Sequence, residues 1–117
     1  MELTKERDER IFEFKARIFK VLGDVNRLKI LEFLREGERC QCEIIPLLSQ
    51  SQPTVSRHLR LLEDAGLIDS RRGGNRTMYN LVDERVCDII ESLDDELMRR
   101  LSQKVAIKKS PFHLHPT

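Results

Sequence analysis

The chain has 117 residues, of which 35% are charged and 5% are aromatic, and it contains no tryptophan. This length allows one domain with a modest core, and the composition favours a helical protein over a β-sandwich. The formal net charge of +1 does not by itself indicate a nucleic-acid partner, so any basic surface has to be local. No segment is apolar enough to span a membrane, and the first residues do not resemble a secretory signal.

The residue types argue against two further classes of protein. The three cysteines are odd in number and two of them are one residue apart, which does not make a disulfide framework. We therefore expect a reducing, cytoplasmic location. No nucleophile–base pair, phosphate-binding glycine loop or pair of carboxylates is apparent, so we do not expect an enzyme.

The spacing of apolar residues predicts four helices in the first part of the chain. A glycine follows the first and the second of them, and either Asp24 or Asn26 can cap the start of the second. The expected helices cover residues 6–22, 27–35, 42–48 and 51–65.

After Gly66 the pattern becomes that of a β-hairpin followed by a long helix. Residues 67–71 and 77–82 are short strand candidates, and Gly73-Gly74-Asn75 between them predicts a tight turn. Asp83 is expected to cap one continuous last helix, whose apolar stripe is Val86, Ile90, Leu93, Leu97 and Leu101. We expect residues 1–103 to form one domain. The remainder, 104–117, contains a His-x-His pair (His113 and His115) able to bind zinc or nickel, but we expect a flexible tail without a role.

The helix predicted over residues 51–65 has the features of a DNA-recognition helix. A hydroxyl residue and a proline open it, and three apolar residues at i, i+4 and i+7 place one face on a core. The opposite face carries side chains able to contact base edges and phosphates: Gln52, Thr54, Ser56, Arg57, His58 and Arg60. Three arginines flank the hairpin tip and are expected at phosphates or in the minor groove: Arg71, Arg72 and Arg76.

This order of elements predicts a mainly α-helical fold with a small β-hairpin, a winged helix-turn-helix with extra helices at both ends. The apolar stripes of the first and last helices exceed what one small core covers, so we expect a homodimer formed through them. A dimer also sets the separation of about 34 Å that two recognition helices need on DNA. Double-stranded operator DNA is the expected partner. The alternative from another class is a protein–protein adaptor that uses this fold without DNA.

Six stretches between about residue 15 and residue 83 resemble the ArsR/SmtB family of metal-responsive repressors, in the family's order and spacing. They are Phe19-Lys-Val-Leu-Gly-Asp24, Arg27-Leu-Lys-Ile-Leu31, Cys40-Gln-Cys42, Ser51-Gln-Pro-Thr-Val-Ser-Arg-His-Leu59, Leu62-Glu-Asp-Ala-Gly-Leu67 and Tyr79-Asn-Leu81. The resemblance implies a repressor that leaves its operator when an effector binds.

The resemblance also implies a metal position at Cys40 and Cys42, at the start of the helix before the recognition helix. The family's second metal position lies on the last helix and uses Asp and His residues. Here Asp83 is present, but Arg85 stands where a histidine is expected, and Glu96 and Arg99 occupy the later positions, so we do not expect that site. Arsenite sensors of this type often have a third cysteine where this chain has Ile45.

The chemistry of two closely spaced cysteines favours a thiophilic effector. As(III) and Sb(III) take three thiolates, while Zn, Cd and Pb accept Cys in larger ligand sets. Cysteines two residues apart point about 200° apart on a regular helix, but at a helix start both can bind one ion, and the helix N-terminus favours the thiolate form. We therefore expect arsenite at Cys40 and Cys42, with Cys87 or a small thiol such as glutathione as the third ligand.

Four alternatives stay open at this point. The effector can instead be Cd, Pb or Zn, bound by the same cysteines. Oxidation can replace metal binding, with Cys40 or Cys42 pairing with Cys87. The two cysteines can also be half-buried filler in a regulator without an effector, and Cys87 alone can be a packing residue of the last helix.

Overall fold

The computed structural model describes residues 2–105, with side chains from residue 4 onward. Within these residues the chain divides into two compact units, with the boundary between Glu84 and Arg85. The elements are α1 (Glu2–Leu22), α2 (Val25–Arg35), β1 (Arg39–Cys40), α3 (Gln41–Leu48), α4 (Gln52–Asp64), β2 (Ile68–Gly73), β3 (Arg76–Leu81), α5 (Arg85–Glu91) and α6 (Asp95–Ser102). No helix in this part of the chain is long and apolar enough to cross a membrane. The pair His113 and His115 lies outside the described residues.

Side-chain caps explain where two helices of the first unit begin. Asp24 precedes α2, and its Oδ1 accepts hydrogen bonds from the backbone N–H groups of Asn26 and Arg27 at 2.8 and 3.2 Å. This decides between the two expected caps. Ser51 caps α4 and a proline lies in the first turn, as predicted.

The carboxylate of Asp24 is stabilised by the groups around it. Partial burial acts to raise the pKa of Asp24, but the two backbone N–H groups and the charges of Arg27 and His58 outweigh this effect. The pKa of Asp24 therefore lies below its ordinary value.

The three strands form an antiparallel sheet in the order β1-β3-β2. The β2–β3 hairpin confirms the predicted wing, and its tip contains Gly74 at φ 70°, a conformation that glycine adopts without a Cβ penalty. Strand β1 is a finding that the sequence pattern does not predict, because two residues are too few to show alternation. It pairs Arg39 with Tyr79 and Cys40 with Met78, so the cysteine segment is part of the wing sheet.

The core of the first unit holds α4 by one face only. The fully buried side chains there come from α2, β1, α3, α4 and β2: Ile30, Leu31, Cys40, Ile44, Val55, Leu59, Leu62 and Ile68. Three of them are the residues predicted to anchor the recognition helix, and each such burial contributes about 1.5–3 kcal/mol. The opposite face of α4 is thereby presented outward.

The second unit corrects the prediction of one long last helix. The hydroxyl of Ser92 donates to the backbone oxygen of Asp88 at 2.9 Å, and α5 has already ended at Glu91. Asp94 then takes an extended conformation and caps α6, accepting a hydrogen bond from the backbone N–H of Leu97 at 2.9 Å. An extended residue cannot continue a helix, so the continuous helix expected after Asp83 is wrong.

Candidate nucleic-acid interface and thiol site

The outward face of α4 carries the side chains predicted to touch DNA. Gln52, Thr54, Arg57 and Arg60 are exposed, while Ser56 and His58 are partly buried. Contacts from neighbouring elements hold the helix in place. The guanidinium of Arg17 donates to the backbone oxygen of Asp64 at 2.9 Å, and the hydroxyl of Ser70 donates to Glu63 at 2.7 Å. The recognition helix is therefore bonded to both α1 and β2.

His58 faces α2 as well as the outer surface. Its Nδ1 lies 3.1 Å from Nη1 of Arg27 and 3.9 Å from the carboxylate of Asp24, and its side chain is 12% exposed. Nδ1 therefore lies between the guanidinium of Arg27 and the carboxylate of Asp24. Arg27 also donates from Nε to the backbone oxygen of Val21 at 2.6 Å. The ring thus connects α4 to α2, a role that the sequence does not predict, and its contact with DNA stays a prediction.

One of the three wing arginines is paired within the protein. Nε and Nη2 of Arg71 donate to the two carboxylate oxygens of Glu38 at 2.7 and 2.5 Å. This two-bond contact is the main cause that lowers the pKa of Glu38 and raises that of Arg71. Arg72 and Arg76 are exposed. Sequence reasoning missed Glu38 because it lies 33 residues from Arg71.

Cys40 and Cys42 come together at the start of α3. Cys40 caps that helix: its Sγ accepts from the backbone N–H of Cys42 at 2.9 Å, and its own N–H donates to Glu43 at 3.0 Å. The Sγ atoms of the two cysteines face each other across a Cα–Cα distance of 5.1 Å. The sulfurs therefore converge, as the helix-start argument predicts. Cys87 is buried on α5, and its pairing with Cys40 or Cys42 stays a prediction.

The cysteines open onto a groove of about 370 Å³ that reaches both predicted DNA-contacting elements. Its lining residues come from the start of α3, the start of α4 and the tip of the wing: Cys40, Gln41, Cys42, Ile45, Gln52, Asn75, Arg76 and Thr77. In their reduced form, two convergent thiols suit a thiophilic ion. Within residues 2–105, however, no cluster of three or more His, Cys, Asp or Glu side chains is placed to hold a metal ion. The inclusion of Cys87 in such a site stays a prediction.

The recognition helix, the wing and the two-cysteine turn define a winged helix-turn-helix DNA-binding protein. A family model described as bacterial regulatory protein, arsR family, matches residues 24–70. An uncharacterised HTH-type transcriptional regulator of Methanocaldococcus jannaschii is 45% identical over 85 residues, which cover 72% of this chain and 96% of that relative. The chain belongs to the ArsR family of transcriptional regulators.

Two further relatives carry more specific names. A probable mercury resistance operon repressor of Streptomyces lividans is 43% identical over 75 residues, which cover 64% of this chain and 60% of the relative. An arsenical resistance operon repressor of Staphylococcus xylosus is 43% identical over 77 residues, which cover 66% and 74%.

A solved structure agrees with the fold. The homodimeric winged helix-turn-helix DNA-binding domain of a possible ArsR-family regulator from Mycobacterium bovis is 28% identical, with a TM-score of 0.71 over 86% of this chain and 93% of that chain. Family and fold are those of a DNA-binding transcriptional repressor and not of an enzyme.

Proposed function

We propose that this repressor leaves its operator when a thiophilic ion, arsenite first among the candidates, binds the reduced thiols of Cys40 and Cys42. The observation that carries the proposal is the shared groove. The same groove is lined by both cysteines, by Gln52 of the recognition helix and by Arg76 of the wing. An effector on the sulfurs therefore lies beside two side chains that are predicted to contact DNA.

The bonds of Cys40 explain how the chain's own residues respond. A bound thiophilic ion supplies strong, directional bonds to sulfur, with two from the protein and a third from a small thiol or from Cys87. Cys40 has its backbone in the wing sheet opposite Met78 and its Sγ on the N–H of Cys42. A change in the direction of that sulfur therefore acts on the wing and on the first turn of α3 together.

The proposal includes a homodimer and a cytoplasmic location. The solved Mycobacterium bovis relative is homodimeric, and α1 of this chain exposes Ile11, Phe12, Phe14 and Phe19 by 40, 66, 58 and 59%. In the other unit, α6 exposes Leu97 and Leu101 by 39 and 53%. Large exposed apolar side chains on surface helices favour burial against a second copy. The cytoplasm holds the DNA and keeps thiols reduced.

The test uses the reduced full-length protein and an operator duplex selected from a random DNA library. Fluorescence anisotropy measures the dissociation constant with sodium arsenite, cadmium chloride, zinc chloride and hydrogen peroxide in parallel. We expect arsenite to weaken binding about 5- to 150-fold, the usual range of such coupling. The variant with both Cys40→Ser and Cys42→Ser should bind DNA normally and lose this response. Arsenite-driven release that persists in the double variant contradicts the proposal.

Cys87→Ser is the matched control for the third ligand. If a small thiol supplies the third bond, Cys87→Ser responds to arsenite as the wild type does, both with and without added glutathione. If Cys87 supplies it, the response weakens at least tenfold and added glutathione restores it.

A second candidate input is oxidation of the same two cysteines. The observation that favours it is the Cα–Cα distance of 5.1 Å between Cys40 and Cys42, which lies within the range that a disulfide spans. Two thiols and one hydrogen peroxide give one disulfide and two waters, with no other residue needed. In the parallel titration, release by peroxide without release by arsenite supports this input over the first.

A further inference from the structure

Gln41, the residue between the two cysteines, bonds directly to the recognition helix. Its side-chain Nε2 donates to Oγ of Ser56 at 2.7 Å, in a partly buried position. Gln41 is the first residue of α3, and Ser56 lies in the first half of α4. We propose that Gln41 is the positioning residue that transmits the state of the thiols to the recognition helix. This inference rests on the proposed function, because it concerns the same effector site.

The position of this bond distinguishes it from the other contacts of α4. The contacts made by Arg17, Arg27 and Ser70 start from α1, α2 and β2, outside the two-cysteine turn. The group that donates to Ser56, in contrast, belongs to Gln41. The two chain neighbours of Gln41 are the cysteines proposed to bind the effector. A ligand on both sulfurs restrains the backbone on either side of Gln41. The orientation of Gln41 is then no longer independent of the ligand.

The remaining bonds of the turn explain why Gln41 has to move. The backbone N–H of Cys40 is held by Glu43 at 3.0 Å, and its strand partner is Met78. Cys42, in contrast, is exposed and has no partner in the wing sheet. Residues 41 and 42 are therefore less restrained by the wing sheet than Cys40 is. A side-chain hydrogen bond weakens steeply when distance or angle changes, so a modest rotation at Gln41 breaks its contact with Ser56.

The size of the effect follows from the net free energy of one such hydrogen bond. A net hydrogen bond of ordinary strength corresponds to about a 2- to 12-fold change in an equilibrium constant. Two subunits bound to one operator multiply this factor, so Gln41 can account for much of a 5- to 150-fold release.

The experiment measures release as a ratio, the dissociation constant for operator with sodium arsenite divided by that without it, in the reduced full-length protein. Cadmium chloride is used in a second series. We expect Gln41→Ala to lower this ratio at least threefold. Ser56→Ala should lower it equally, and the double variant should lower it no further, because both remove one bond. Ser56→Thr keeps the hydroxyl and should keep the ratio.

A role in stability alone gives a different result. It weakens DNA binding with and without arsenite and leaves the ratio unchanged. Gln50→Ala, in the turn before α4, is the matched control and should also leave the ratio unchanged. A readout without DNA is the side-chain amide resonance of Gln41, assigned by its loss in Gln41→Ala. It should shift when arsenite saturates the wild-type protein and should shift less in Ser56→Ala.

The outcomes separate this inference from the proposed function. If wild-type protein releases DNA and Gln41→Ala keeps the ratio within 1.5-fold, Gln41 does not transmit the signal, while the effector site stands. Additive losses in the double variant also overturn the inference. If neither arsenite nor cadmium releases the wild-type protein, both proposals fail. Should Gln41→Ala not fold, the comparison of Ser56→Ala with Ser56→Thr decides.

Discussion

Replacement of Glu38 by glutamine should strengthen the electrostatic part of DNA binding, although it adds no positive charge. In the wild-type protein both oxygens of Glu38 bind the guanidinium of Arg71 on the wing. Glu38→Gln keeps the shape of the side chain and removes the negative charge that holds Arg71. The exposed guanidinium is then available to a phosphate, alongside Arg72 and Arg76.

The magnitude follows from counterion release. Each phosphate contact adds about 0.9 to the slope of log affinity against log salt concentration. One released arginine in each subunit of the proposed dimer makes the slope steeper by about 1.8. Between 50 and 200 mM salt, the affinity of Glu38→Gln should therefore fall about 12-fold more than that of the wild type.

The assay is fluorescence anisotropy with a labelled duplex of random sequence at four salt concentrations, since the phosphate contribution does not depend on sequence. Glu36→Gln is the matched control: it removes the same charge, but Glu36 lies 3.5 Å from Arg39 and not at Arg71. The double variant Glu38→Gln with Arg71→Gln should return to the slope of that control. Equal slopes for Glu38→Gln and Glu36→Gln would refute the reasoning that Glu38 withholds Arg71 from DNA.

Two further predictions concern stability. Asp24→Ala removes the cap of α2 and should lower the free energy of unfolding by about 1 kcal/mol in urea at pH 7. Because the pKa of Asp24 is lowered in the folded state, its contribution is present above the ordinary carboxyl pKa and is lost as the pH falls through the lowered value. A difference between wild type and variant that does not shrink as the pH is lowered below the ordinary carboxyl pKa would contradict this. Gly74→Ala places a side chain at φ 70°, where no atom lies within 4 Å of the new Cβ, so backbone strain alone should lower stability by about 1 kcal/mol in thermal unfolding. An unchanged melting temperature would be inconsistent with that conformation.

The parts of the fold that the sequence predicts depend on interactions close along the chain. The cap Ser51, the i, i+4, i+7 apolar face of α4 and the glycines of the wing each act within a few residues. The same reasoning could have found the break in the last helix. Asp94 is followed by two more acidic residues in the first turn of α6, which is a typical helix start. The continuous apolar stripe from Val86 to Leu101 outweighed that signal in the prediction.

The contacts that sequence reasoning misses join residues far apart in the chain. Glu38 meets Arg71, and Arg27 meets His58, at separations of 33 and 31 residues. A list of basic residues treats every arginine of the wing as equally available to DNA. The fold instead assigns Arg71 to a carboxylate of the same chain, and no local pattern contains that information.

In the proposed mechanism, the two-residue strand β1 links the cysteine pair to DNA binding. Without it, Cys40 would be a helix cap on α3 alone, and a bound ligand would act on one short helix. Because β1 pairs with β3, the backbone of Cys40 is also an edge of the wing sheet, and through the next residue it reaches Ser56 of the recognition helix. A helix-turn-helix dimer reads DNA only when its recognition helices and wings keep a fixed spacing. In the proposed mechanism a ligand at this junction does not need to occupy the DNA surface, since a shift of either the wing or the recognition helix changes that spacing.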